Sequence, residues 1–135
     1  MKKLKGKVKF KILDKNYTNA LSYDKMPEWY NGINCLICTS LYEGCPLPVL
    51  EAASCGKAIV STKVGIVPEL LNNYINPPQS RKDVNRVINE FEKKILFYRD
   101  NGNVCELDGN YNRRLVKKFD WENIIERWRI FINVY

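Results

Sequence analysis

The stretch Ile33–Gly56, INCLICTSLYEGCPLPVLEAASCG, decides the fold. Ile33 to Cys38 is an apolar, β-prone run that ends in the polar pair Thr39 and Ser40. A loop with Glu43 and Gly44 follows, and then Pro46 and Pro48 open a short helix. Proline is tolerated in a first turn because N–H groups there have no intrahelical acceptor. Leu47, Leu50 and Ala53 or Ser54 keep helical spacing, and Gly56 can take the left-handed conformation of a helix C-terminus. A strand, a turn and a helix start therefore follow one another directly. That junction points free N–H groups and the positive end of a helix dipole out at the carboxyl edge of a sheet, where open α/β folds bind anionic ligands. Glu43 and Glu51, with seven residues between them, flank the junction. Carboxylates beside a phosphate-binding end would repel the phosphate, so they serve better as acceptors for hydroxyls on either side of it, such as those of a sugar.

Working outward, Ala58-Ile59-Val60 within Lys57–Thr62 predicts a short strand buried on both faces, as parallel strands in α/β proteins are. Gly65 and Pro68-Glu69 in the following loop predict a second turn at the same carboxyl edge, facing the crevice of Glu43. Asp24–Tyr30 predicts a short helix before the first strand, with Pro27 in its first turn. Asn72–Ser80 reads as irregular, because Asn76-Pro77-Pro78 precludes a central strand. Ser80 and Asp83 form a capping-box-like pair opening a helix to about Arg99, with Val84, Val87, Ile88, Phe91 and Ile95 on its inner face. Asn101–Asn110 reads as a loop. Tyr111–Lys118 reads as a short helix with Tyr111, Leu115 and Phe119 inward. In the last helix, capped by Asp120, Trp121, Ile124, Ile125, Trp128, Ile132 and Tyr135 keep helical spacing and read mainly as core.

With 135 residues, 45% of them apolar and 27% charged, the chain fits one globular domain. No apolar run reaches the ~18 to 20 residues of a membrane span, and the Lys-rich start lacks the apolar segment of a signal peptide. A cytoplasmic location with reduced thiols follows, and the five cysteines are odd in number. Cys35 and Cys38 fall on opposite faces of one strand, and without histidine or a second pair they form no zinc site. The net charge of +7 is concentrated at the N-terminus, where residues 1–15 hold seven Lys and one Asp. Lys3, Lys5, Lys7, Lys9 and Lys11 alternate with apolar residues or Gly6, which predicts a strand with one solvated face rather than a nucleic-acid surface.

The run SLYEGCPLPVLEAASCGKAIVSTKVGIVPE, Ser40–Glu69, resembles the signature of retaining, nucleotide-sugar-dependent glycosyltransferases of the GT-B fold, group 1, with their E-x7-E motif. Met26-Pro27-Glu28-Trp29-Tyr30 and Phe119-Asp120-Trp121 resemble elements on either side of it. The resemblance implies a partial Rossmann-like, three-layer α/β fold, a parallel sheet with helices on both faces. The whole chain, 1–135, would be the latter part of the C-terminal donor-binding domain, without its first two strands and without the basic pair that neutralises the pyrophosphate. It implies that Glu43 contacts the donor sugar as the catalytic carboxylate, and that Glu51 accepts from the nucleotide ribose. The N–H groups of Gly44, Cys45 and Leu47 would face the sugar and phosphates, with Gly65 in the opposing loop. Pro46 stands where many members carry glycine and removes one N–H.

The donor is a nucleotide-diphosphate sugar, and no metal or other cofactor is implied. The acceptor, a sugar or lipid, would be held by an N-terminal domain absent from this sequence, so the isolated chain should bind donor weakly or not at all and turn none over. Polysaccharide or glycolipid synthesis is the implied setting, and the alternative is a non-catalytic relic or partner-binding module of the same fold. Peripheral association with the inner face of a membrane, and oligomerisation through an exposed sheet edge, are both compatible with the pattern; a nucleic-acid partner is not expected. In the implied strand order 3-2-1-4-5-6 the Lys7–Leu13 strand lies apart from the Ile33–Ser40 strand. A gap would leave strand N–H and C=O groups unpaired, each costing about 1 to 3 kcal/mol if buried. The expectation is that the Lys-rich strand closes up beside the first one in a three-stranded sheet, or that a second chain covers the edge.

Overall fold

Two four-residue parallel strands, β1 (Cys35–Cys38) and β2 (Ala58–Ser61), form the centre, with Leu36 opposite Ile59 and Ile37 opposite Val60. The computed structural model describes residues 4–12 and 21–133. Around the sheet lie helices α1 (Met26–Asn31), α2 (Leu47–Ser54), α3 (Val67–Leu70), α4 (Val84–Asp100), α5 (Gly102–Val116) and α6 (Trp121–Asn133). Side chains alternate across a strand, so each face of the sheet has its own core. Leu36, Cys38 and Ile59 face Tyr30, Val49, Ala52, Ala53, Val67 and Leu70 of α1, α2 and α3. Cys35, Ile37 and Val60 face Val87, Phe91 and Ile95 of α4. The arrangement is a partial Rossmann-like α/β fold with helices on both faces. Cys35 and Cys38 do lie on opposite faces of the sheet.

The α2–β2 junction forms as its sequence implies. Pro46 is the N-cap and Pro48 falls in the first turn. At the other end Gly56 takes φ +68°, with its N–H on the Ala53 carbonyl (2.9 Å) and the Lys57 N–H on the Ala52 carbonyl (2.9 Å). This is the paired closure of a left-handed helix stop.

The N-terminal strand does not form. Residues 7–12 carry no strand, and Leu13 lies outside the described residues. Lys7 and Val8 instead turn back onto the Leu4 carbonyl (3.0 and 3.3 Å). Both faces of the sheet are covered by helices, so a strand beside β1 would place its lysine face beneath one of those layers, an uncompensated burial of charge. The sheet extends on its other side, where Ile75, 1% exposed, bridges in parallel to Thr62. Ile75 N–H donates to the Ser61 carbonyl (2.9 Å) and Lys63 N–H to the Ile75 carbonyl (2.8 Å). Asn76-Pro77-Pro78 ends the pairing after that single residue. The outer edge of β1 meets no other strand among the described residues.

Asn101–Asn110, expected as a loop, lies almost wholly in the fifteen-residue helix α5. Its buried residues Cys105, Gly109, Asn112 and Val116 recur at helical spacing and close the amino-terminal end of the sheet. A Cβ on Gly109 would lie 2.9 Å from the Gly56 carbonyl carbon and 3.2 Å from the Ala58 nitrogen, so glycine allows helix and strand backbones to touch. Asn112 Nδ2 donates to the Lys57 carbonyl (3.1 Å), and Tyr98 of α4 donates to Asp108 Oδ2 (2.6 Å). Tyr111, expected inward, is exposed, as are Val84 and Ile88 of α4. Ser80 makes no side-chain cap; Asp83 alone reaches back, accepting from the Gln79 N–H (3.2 Å). No residue of α6 is buried. Trp121, Trp128 and Ile132 are 74%, 57% and 64% exposed, so the stripe expected mainly as core faces outward, and Tyr135 lies outside the described residues.

Candidate functional site

The carboxyl ends of β1 and β2 are tied together before either loop departs. Thr62 N–H donates to the Cys38 carbonyl (3.1 Å), and Thr62 Oγ1 donates to the Ser40 carbonyl (2.6 Å). Ser40 Oγ in turn donates to Glu43 Oε1 (2.8 Å). The exposed Glu43 carboxylate is thus steadied by one oxygen and open at the other. Thr62, 1% exposed, and Ser40 carry no weight in the sequence reading; the signal was a polar pair, Ser61-Thr62, at the end of an otherwise apolar strand, which a buried hydroxyl must satisfy.

Gly65 takes φ +47°, and its loop passes directly over the Glu43–Gly44 turn. A Cβ there would sit 2.8 Å from the Gly44 carbonyl carbon and 3.0 Å from the Glu43 oxygen. The expectation that this second loop faces Glu43 is met, backbone against backbone. The N–H groups of Gly44, Cys45 and Leu47 donate to no other described residue. Pro46 supplies no side-chain cap to α2, so the first turn of that helix stays open. Open amides at a helix N-terminus favour an anion.

Two cavities meet at this edge. Glu43, Cys45, Pro46 and Leu47 line a crevice of about 500 Å3 beyond the end of β1. Glu51 lies on the other side of the first turns of α2 and lines an open groove of about 2650 Å3 along the outer edge of β1. Leu47 and Pro48 line both. Gly44 and Gly65 line neither and act through their backbones. Glu51 is half-buried and accepts from the Tyr30 hydroxyl through Oε2 (2.7 Å). Burial, reinforced by that hydrogen bond, pushes the Tyr30 phenol above its ordinary range. Among the described residues no group of three or more His, Cys, Asp or Glu is placed to hold a metal ion. No helix among them is long and apolar enough to cross a membrane.

Residues 2–100 match the family described as Glycosyl transferases group 1. The chain belongs to that family. Group 1 glycosyltransferase relatives include the serotype-specific mannosyltransferase WbdA of Escherichia coli, 30% identical over 86 residues, which are 62% of this chain and 11% of that protein. A subunit of the phosphatidylinositol N-acetylglucosaminyltransferase of Homo sapiens is 37% identical over 92 residues, 66% of this chain and 18% of that protein. An uncharacterized glycosyltransferase, MJ1178 of Methanocaldococcus jannaschii, is 25% identical over 104 residues, 77% of this chain and 29% of that protein. The matched segments thus span 11% to 29% of these relatives' lengths.

Proposed function

We propose that this chain is the latter part of the donor-binding domain of a retaining GT-B glycosyltransferase, acting in the cytoplasm on a nucleotide-diphosphate sugar. The observation that carries the reading is the convergence of Glu43, the open amides of Gly44, Cys45 and Leu47, and the Gly65 loop at one carboxyl edge. Glu43 takes hydroxyls of the donor sugar, the amides and helix end take the departing phosphate, and Glu51 takes the ribose. Stabilising charge as it grows on the leaving phosphate is where such a site gains rate. The relatives' names support transfer of a mannosyl or N-acetylglucosaminyl unit to a glycan or lipid acceptor, which a further domain would hold.

In a polypeptide carrying that domain, Glu43→Ala and Glu51→Ala should each lower transfer roughly tenfold to a hundredfold, as expected for a lost charged hydrogen bond. Circular dichroism should stay unchanged. Wild-type transfer in both variants would remove the reading. The 135-residue chain alone should hold a nucleotide diphosphate at about 1 mM and turn no donor over. A second reading, a partner-binding module without catalysis, is favoured by the outward apolar face of α6 and the uncovered edge of β1. Loss of transfer in the two glutamate variants would exclude it.

A further inference from the structure

We propose that Tyr30 is a positioning residue that sets the orientation of Glu51 toward the nucleotide ribose. The inference rests on the ribose role proposed above for Glu51. Tyr30 is 2% exposed, on α1, and its hydroxyl crosses to α2 to hold Glu51 Oε2 at 2.7 Å. The ring is fixed edge-on by Trp29, with centroids 5.1 Å apart, and Trp29 is itself covered by the Lys11 ammonium. Oε1 of Glu51 has no hydrogen-bond donor among the described residues, while Glu51 and Tyr30 both line the groove. A glutamate on a helix surface has three free side-chain torsions. Pinning one oxygen from a buried phenol removes most of that freedom before a ligand arrives, and leaves the other oxygen to accept from a hydroxyl. Burial keeps the phenol protonated, so it remains a donor at neutral pH.

The consequence is a coupling between Tyr30 and the ribose hydroxyls that neither makes directly. Freeing one rotamer-rich side chain costs about twofold to tenfold in affinity. The test titrates the 135-residue chain, as wild type, Tyr30→Phe and Glu51→Gln, with UDP and GDP and with their 2′,3′-dideoxy counterparts by ligand-observed NMR. Wild type should prefer the ribose forms by about tenfold. Tyr30→Phe keeps the packed ring, and should cut that preference about twofold to tenfold while leaving dideoxy binding unchanged. Glu51→Gln should lose most of the preference. If Glu51→Gln loses it and Tyr30→Phe keeps it, the positioning role is wrong and the ribose reading survives. If Tyr30→Phe weakens both ligand types equally, Tyr30 is only structural and the proposal is overturned. A wild-type chain with no ribose preference, or with no binding at all, would sink the ribose reading and this inference with it.

Discussion

Gly65→Ala tests the contact on which the site depends. The added Cβ meets two unfavourable facts at once. At φ +47° an alanine is strained by roughly 1 to 2 kcal/mol. It would also lie 3.0 Å from the Glu43 carbonyl oxygen and closer still to the Gly44 carbonyl, backbone atoms that cannot swing away as a side-chain tip can. Crowding of this kind costs about 1 to 3 kcal/mol. Both loops are exposed and can part, so the sum should fall near the low end, about 2 to 3 kcal/mol, in urea unfolding followed by tryptophan fluorescence. Two controls separate the causes. Gly44→Ala has nothing within 4 Å of its Cβ and an ordinary φ, and should stay within about 0.5 kcal/mol of wild type. Gly109→Ala has no positive φ and gains about 1 kcal/mol of helix propensity, so any loss there measures crowding alone. A Gly65→Ala chain as stable as Gly44→Ala would refute the close passage of the two loops.

Two other outcomes are expected. Burial, aided by the nearby Cys105, pushes the Cys35 thiol from 9.0 up to about 12. The folded chain therefore keeps a proton that the unfolded chain releases above pH 9, and stability should fall by up to ~1.4 kcal/mol per pH unit between pH 9 and 12. Urea midpoints at pH 8, 9.5 and 11 read this slope, and Cys35→Ala should flatten it; a slope that the substitution leaves unchanged would assign the loss to other groups. Trp128→Ala on the outward face of α6 should cost less than about 0.5 kcal/mol by urea unfolding, whereas a core tryptophan would cost about 3 to 5 kcal/mol.

The central motif was legible because its local chemistry and its tertiary role agree. Prolines at the start of α2 and a glycine after its end need nothing distant to be interpreted, and Ala58-Ile59-Val60 is apolar on both faces because both faces are covered. α5 was hidden for the opposite reason. Gly102, Asn103, Asp108, Gly109 and Asn110 read as breakers, yet Gly109 is where the helix needs no side chain and Asn112 is where it needs an amide for the Lys57 carbonyl. Packing chose those residues against their propensity. Within the site, Glu43, Glu51 and Gly65 were visible as types in a pattern. Tyr30 and Thr62 were not, because a hydroxyl becomes informative only when its partner, 21 or 22 residues away, is known.

Periodicity has the same limit at both ends of the chain. It states which residues share a face and leaves open what that face meets. Lysines alternating with apolar residues describe a half-solvated strand only if a sheet edge exists with one face in water, and here both faces of the sheet lie under helices. The alternation is present in the sequence, and the partner it needs is not. Trp121, Ile125, Trp128 and Ile132 likewise keep one stripe on α6, but the helix packs on the Lys117–Phe119 turn that precedes it and leaves the stripe outward. An amphipathic pattern fixes a helix's orientation relative to a surface only when that surface is present among the elements it can reach. By this reasoning the face of α6 is the part of the chain whose burial depends most on what it is joined to, and Trp128→Ala should become costly only where a partner covers it.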